Sequence, residues 1–271
     1  MLLEHASGRS RSWLIAHGDE PASAQTAKHF FALAERRTRA GEPIAYLTGV
    51  REFHSLRLEV SAAVLIPRPE TELLVDRTLE LIVKNNEPPG ADTPILELGT
   101  GSGAIALAIA AERPRVRIFA TDRSAAALDQ ARANASQLAL DSRIEWRLGD
   151  WWEAVHKTER FGLILANPPY IAQDDPHLFQ GDLRHEPIEA LASGEDGLDA
   201  IRTIVKGAGA HLIDWGWLLL EHGFDQGERV RALLDAAGFD SVCTLRDLQG
   251  RERMTQAQKA RKSQDPAPFM V

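Results

Sequence analysis

From residue 94 to residue 255 short apolar runs alternate with helix-forming stretches, and no other feature narrows the possible folds as far. Residues 94–98, 116–121, 144–148, 161–166 and 217–221 have the length and aliphatic content of buried strands. Helices are predicted from Ser102–Ala104 through Ala111, over 124–140 and over 228–237, with further strands near Val242 and Met254. Repeated strand–helix units build a mostly parallel sheet covered on both faces, so the predicted class is α/β. Ligands of such sheets bind at the carboxyl ends of the strands. Four of those ends are polar, Glu97, Asp122, Asp150 and Asn167. Each could merely cap a helix, but four in succession along one edge point to a site.

The first 45 residues follow a different pattern. Trp13, Leu14 and Ile15, then Phe30, Phe31, Leu33 and Ala34, recur at helical spacing, and Arg36, Arg37, Arg39 and Gly41-Glu42-Pro43 close the second helix. From Ile44 to Pro67 shorter alternating pieces take over, with a predicted hairpin around His54-Ser55. The segment Ile66-Pro67-Arg68-Pro69-Glu70-Thr71-Glu72 opens a helix to Lys84, and a polar loop spans 85–93. Arg68 and Glu72 at that opening read either as surface charge complementing the helix dipole or as groups orienting a bound ligand.

Over 271 residues, 44% hydrophobic and 26% charged content describes an ordinary globular protein. A net charge of −8 argues against a broad electrostatic footprint for nucleic acid. The single cysteine, Cys243, excludes an intrachain disulfide and the paired cysteines of a zinc ribbon. No signal-peptide pattern and no apolar run of membrane-spanning length is present, so a cytoplasmic location is expected. His177, His185, His222, Asp174, Asp175 and Glu186 match no standard ligand spacing, so no metal is expected, and 171–187 reads as a cover over the site.

Gly99-Thr100-Gly101-Ser102-Gly103 joins the first strand of the alternating region to its helix, and Asp122 closes the next strand. Glycines admit close backbone approach, the helix start offers N–H groups, and the acid accepts from ribose hydroxyls. This much also suits a dinucleotide. Glu97 separates the two: a buried carboxylate beside a pyrophosphate is repelled, whereas the ammonium or sulfonium of S-adenosylmethionine stabilises it. Asp150 and Trp151 then supply an acceptor and an aromatic edge for adenine.

Asn167-Pro168-Pro169-Tyr170 follows the strand over 161–166. It reads either as a proline-rich turn whose asparagine caps its own backbone or as a cluster of acceptors. In the second reading, Asn167 Oδ1 and the Pro168 carbonyl accept both N–H bonds of a planar NH2 group while Tyr170 stacks on it.

These segments together resemble the HemK/PrmC family, the methyltransferases that modify the glutamine of peptide chain release factors. The likeness runs through Gly41-Glu42-Pro43-Ile44-Ala45-Tyr46-Leu47-Thr48-Gly49, residues 65–72, the glycine loop, Asp150-Trp151, Asn167 to Tyr170, 175–187 and 218–223. Many methyltransferases share the glycine loop; Pro-Arg-Pro-Glu-Thr-Glu combined with Asn-Pro-Pro-Tyr is specific to this family. The resemblance implies a class I S-adenosylmethionine-dependent methyltransferase domain, with a Rossmann-like seven-stranded sheet, over 68–256. It also implies a helical substrate-docking domain over 1–45, short at its start beside the family pattern, a β-hairpin linker over 46–67 and a polar, disordered tail over 257–271. The glycine loop, Asp122, Trp151 and Asn167 are then expected to contact S-adenosylmethionine, which leaves as S-adenosylhomocysteine. Asn167, Pro168, Pro169 and Tyr170 are expected to hold the glutamine amide of a Gly-Gly-Gln motif. The expected partner is a release factor, free or on the ribosome, with the enzyme itself a monomer lacking a stable nucleic-acid partner. Two rivals fit the same residues: methylation of the exocyclic amine of a nucleic-acid base, and a non-catalytic module that binds release factors or ribosomes.

Overall fold

The computed structural model describes residues 1–84 and 93–261; most of the polar loop expected over 85–93 lies outside them. Four short helices open the chain, α1 (Leu2–Ser7), α2 (Arg11–Ala16), α3 (Ala24–Glu35) and α4 (Ile44–Thr48). Ser10 and Ser23 cap α2 and α3, each accepting from a backbone N–H of the first turn. The alternating pattern read from Ile44 begins only after α4, because Ala45 and Leu47 are buried on a helical turn.

β1 (Val50–Phe53) and β2 (Leu56–Glu59) pair as an antiparallel hairpin. His54 and Ser55 at its tip take φ of 46° and 64°. Positive φ at both central residues matches the twist of the strands but suits Asn-Gly better than these side chains. The next helix, α5 (Glu72–Lys84), offsets that strain. Glu72 Oε1 accepts from the His54 N–H at 2.9 Å, and His54 Nε2 meets Asp76 Oδ1 at 3.1 Å.

The alternating region builds β3 (Ile95–Leu98), α6 (Ala104–Glu112), β4 (Ile118–Asp122), α7 (Ala125–Gln137), β5 (Ile144–Leu148), β6 (Phe161–Ala166), α8 (Asp199–His211), β7 (Leu212–Glu221), α9 (Gly227–Ala236), β8 (Phe239–Arg246) and β9 (Glu252–Lys259). The seven strands lie in the order β5-β4-β3-β6-β7-β9-β8, with β9 antiparallel to both its neighbours. One face packs on α5 and α6, with Leu74, Leu107 and Ile109 joined by Phe53 and Leu58 of the hairpin. The other packs on α8 and α9 through Ile201, Ile204, Val230 and Leu234. β7 shows the strand period directly: Leu219 enters the first core, Leu218 and Leu220 the second. α6 is buried at every position from Ala104 to Ala110, as expected of a helix apolar all round.

Two sequence expectations need correction. The sequence pattern does not predict α8, since its two glycines depress helix propensity. Burial of Ala200, Ile201, Ile204, Val205 and Ala208 along one stripe stabilises it instead, and a side chain at Gly207 would overlap the Trp152 indole. The polar tail expected from 257 also begins too early. Residues 257–259 belong to β9, where Ala257 is fully buried opposite Leu218; 262–271 lie outside the described residues. No helix among the described residues is long and apolar enough to cross a membrane.

Candidate active site

Strand order reverses between β3 and β6, so the loops leaving their carboxyl ends diverge and open a crevice. Leu98 lies opposite Ala166 in the ladder, which sets the glycine loop beside Asn167. A cavity of about 720 Å³ fills this crevice. Every residue predicted for the cofactor lines it except Gly103. Gly103 starts α6 and faces Leu107, Ala131 and Trp146, so its role is packing.

Glu97 is 2% exposed, yet its carboxylate reaches the cavity wall. Oε2 accepts from Thr100 Oγ1 at 2.8 Å and from the Ala106 N–H at 3.1 Å. Burial outweighs these two bonds and pushes its pKa up to about 8. Among the described residues no basic side chain is paired with it. A cationic ligand would therefore relieve an unfavourable burial. Asp122 accepts from the Gly101 N–H at 2.8 Å and the Ser124 N–H at 2.9 Å; burial raises its pKa too. Two largely buried acids in one cavity disfavour a pyrophosphate and suit a ligand carrying positive charge and ribose hydroxyls. Trp151 opens a 3-10 turn at φ 46° and lies against Gly99, whereas Trp152 turns away to donate to the Thr203 carbonyl at 3.0 Å.

The amide loop is held from several sides. Asn167 Nδ2 donates to Thr71 Oγ1 at 3.0 Å, which directs the amide's acceptor, Oδ1, away from that contact. Asn167, Pro169 and Thr71 all line the cavity, while Pro168 is buried behind them. Tyr170, expected to stack on the substrate amide, does not line the cavity: its hydroxyl donates to Glu221 Oε1 at 3.4 Å and its carbonyl accepts from Gln226 Nε2 at 2.9 Å. Burial raises the Tyr170 pKa well above the usual phenol range.

Arg68 and Glu72 are not brought to the cavity. Glu72 holds the hairpin tip, and Arg68 pairs with the fully buried Glu186 carboxylate, which also accepts from the Ile66 N–H at 3.0 Å. Glu186 precedes Pro187 and Ile188 of the cavity wall, and Asp182 pairs with Arg37 at 2.6 Å. The 171–187 segment thus fastens the helical region to the wall of the pocket. Its histidines are dispersed, and among the described residues no group of three or more His, Cys, Asp or Glu could hold a metal.

Thr71 and Glu221 were missed as site residues. Glu221 carried the same signal as Glu97, a carboxylate closing an apolar strand; Thr71 carried none beyond its place in the Pro-Arg-Pro-Glu-Thr-Glu segment. Asn134 was missed as well. Fully buried on α7, it accepts from the Glu59 N–H and donates to the Glu59 and Ser102 carbonyls, tying the hairpin to the glycine loop.

Family models match at residues 1–49, the PrmC N-terminal domain, and 72–194, the methyltransferase small domain. A release factor glutamine methyltransferase from Xylella fastidiosa is 54% identical, over 94% of this chain and 90% of the relative. The protein of that name from Escherichia coli is 46% identical, over 94% and 89%. Among solved structures, a Pyrococcus furiosus methyltransferase aligns with a TM-score of 0.55 at 17% identity, covering 88% of this chain and 100% of that one. The hMettl16 catalytic domain aligns with a TM-score of 0.60 at 15% identity, covering 88% and 82%; at such identity both speak for the fold alone. With half its residues shared across nearly the whole length of both chains, the protein belongs to the HemK/PrmC family of release factor glutamine methyltransferases.

Proposed function

We propose that this chain methylates the side-chain amide nitrogen of the glutamine in the Gly-Gly-Gln motif of peptide chain release factors, in the cytoplasm. The observation that carries this reading is the setting of Asn167. With Nδ2 committed to Thr71, the side chain presents an acceptor to the cavity, and the Pro168 carbonyl beside it accepts from no donor among the described residues.

The methyl donor is S-adenosylmethionine, whose sulfonium supplies an electrophilic methyl group when bound. Glu97 would hold its cationic end, Asp122 the ribose hydroxyls, and Asp150 with Trp151 the adenine. An amide nitrogen is a poor nucleophile because its lone pair is delocalised. Asn167 Oδ1 and the Pro168 carbonyl, by accepting both N–H bonds, return density to that nitrogen and hold it in line for attack. Pro169, on the cavity wall, bounds the planar group and excludes water, while Tyr170 supports the loop from behind through Glu221. Once the nitrogen carries the methyl group its surplus proton is strongly acidic and leaves to solvent, so no strong general base is needed.

The test is transfer of label from S-adenosylmethionine to a purified release factor, beside a version whose motif glutamine is replaced by alanine and beside bulk RNA and DNA. Label on the glutamine protein alone is expected; label on nucleic acid would overturn the substrate. Asn167→Ala should lower turnover about 10²- to 10³-fold, as loss of an oriented polar group at a reacting centre does. Its cofactor affinity should stay within a few-fold, and retained turnover would rule Asn167 out as the acceptor for the substrate amide.

A further inference from the structure

A buried carboxylate closes β7 directly behind the amide loop, and the mechanism above does not use it. Glu221 is 2% exposed. Its Oε1 accepts from the Tyr170 hydroxyl at 3.4 Å, its Oε2 completes no hydrogen bond, and the Thr71 hydroxyl faces the same carboxyl. Thr71, 4% exposed, in turn accepts from Asn167 Nδ2. Thr71 and Asn167 are thus hydrogen-bonded at the cavity wall, with the carboxyl of Glu221 and its unpartnered Oε2 as a neighbour of Thr71 on the interior side.

A hydroxyl has one proton to give. Facing an ionised carboxylate, Thr71 directs that proton to Glu221 and can only accept from Asn167, so Asn167 must point Nδ2 inward and Oδ1 at the substrate. Facing a neutral acid, Thr71 can accept from the carboxyl and donate to Asn167 Oδ1. The amide then turns over and presents Nδ2 to the cavity. A donor would there oppose the donors of the substrate NH2, and the hydrogen bond that holds the nitrogen would be lost.

We infer that Glu221 is a positioning residue for methyl transfer: its ionised carboxylate, acting through Thr71, sets which end of the Asn167 amide meets the substrate nitrogen. This rests on the reading of Asn167 as acceptor for the glutamine amide. The groups around Glu221 are few. Tyr170 faces it from the amide loop, Thr71 and Glu70 from the turn before α5, and Arg253 from β9. Glu70 opposes ionisation, while Arg253 and the two hydroxyls favour it. His222, next on β7, is turned to Thr255 Oγ1 at 2.8 Å and to the Gly223 carbonyl. Burial dominates, pushing the Glu221 pKa up to about 7, so the two polarities interchange within the range of an ordinary assay.

The experiment compares the parent with Glu221→Gln, Thr71→Val, Thr71→Ser and Asn167→Ala, using a release factor with an intact Gly-Gly-Gln motif. Calorimetry of S-adenosylmethionine reports folding of each variant. In the parent, kcat should rise about tenfold from pH 6 to pH 8, following ionisation of one group titrating near 7. Affinity of the release factor for the enzyme loaded with S-adenosylhomocysteine should rise in the same range. Glu221→Gln should flatten both profiles and leave cofactor affinity unchanged. Thr71→Val should lower kcat about tenfold or more, a loss that Thr71→Ser restores, as expected when a relaying hydroxyl is removed and returned. A pH profile in Glu221→Gln equal to the parent's, or parent kcat in Thr71→Val, overturns the inference. Should Glu221→Gln fail to bind cofactor, the valine and serine pair decides alone. If Asn167→Ala stays active, the acceptor reading itself fails; if it is inactive while the Glu221 and Thr71 variants match the parent, only the present inference fails.

Discussion

Raising the pH from 6 to 7 should tighten binding of S-adenosylmethionine, because the cation must meet an ionised Glu97. With its pKa pushed up to about 8 by burial, Glu97 is ionised in about 1% of molecules at pH 6 and about 9% at pH 7. If only the ionised form binds, apparent affinity rises about ninefold over that unit, or about 1.3 kcal/mol. At pH 7 binding should then release about 0.9 proton per cofactor, the fraction of Glu97 that must give one up. Calorimetry in two buffers of different ionisation enthalpy measures both quantities. The cofactor's own amine also titrates, but it does so equally with every variant, so the informative comparison is with Glu97→Gln. That change keeps an acceptor for Thr100 and Ala106 while removing the charge. It should abolish the proton release and flatten the profile between pH 6 and 7. An equal slope and equal proton release in Glu97→Gln would refute the assignment of Glu97 to the cationic end.

Other consequences follow from the same geometry. In the ligand-free protein Glu97 and Glu221 stay protonated between the ordinary carboxylate pKa and their raised values, where the unfolded chain is ionised. The folded state then binds more protons, so stability should fall as pH rises from about 5 to about 8, and denaturant unfolding of Glu97→Gln should show a shallower fall. Asp122→Ala removes the acceptor of the Gly101 and Ser124 N–H groups and should cost about 1–3 kcal/mol in stability, read by thermal melting, with a loss of cofactor affinity read by calorimetry. At Gly197, φ is +77° and a Cβ would overlap the Tyr170 carbonyl oxygen, with Gln226 Nε2 at 2.8 Å. Gly197→Ala should therefore destabilise by about 2 kcal/mol or more and depress kcat by shifting the amide loop. Glu72→Ala should lower the melting temperature, at about 1 kcal/mol for one lost hydrogen bond to the hairpin, without changing cofactor affinity.

The alternation of apolar runs and helices, the glycine loop and the row of polar strand ends are local patterns, and local patterns are what a sequence displays. From them the α/β class and a site at the carboxyl edge of the sheet can be read, and most residues singled out for the cofactor line one cavity. The errors share one cause. Arg68, Glu72 and Gly103 have the chemistry of ligand-binding residues, but each is claimed by a neighbour distant in sequence: Glu186, the hairpin tip, and the packing of Ala131 and Trp146. Likewise α8 was hidden by two glycines, of which Gly207 is explained only by the approach of the Trp152 indole. The sequence by itself determined a parallel sheet with a glycine-lined, acid-lined pocket and an asparagine held by prolines at its rim. Only the tertiary structure decided which end of that asparagine faces the pocket. Its partner Thr71 stands 96 residues away, on the turn before α5 and beside the buried end of β7. A hydrogen bond has a sense as well as a place, and that sense is set where separately folded elements meet.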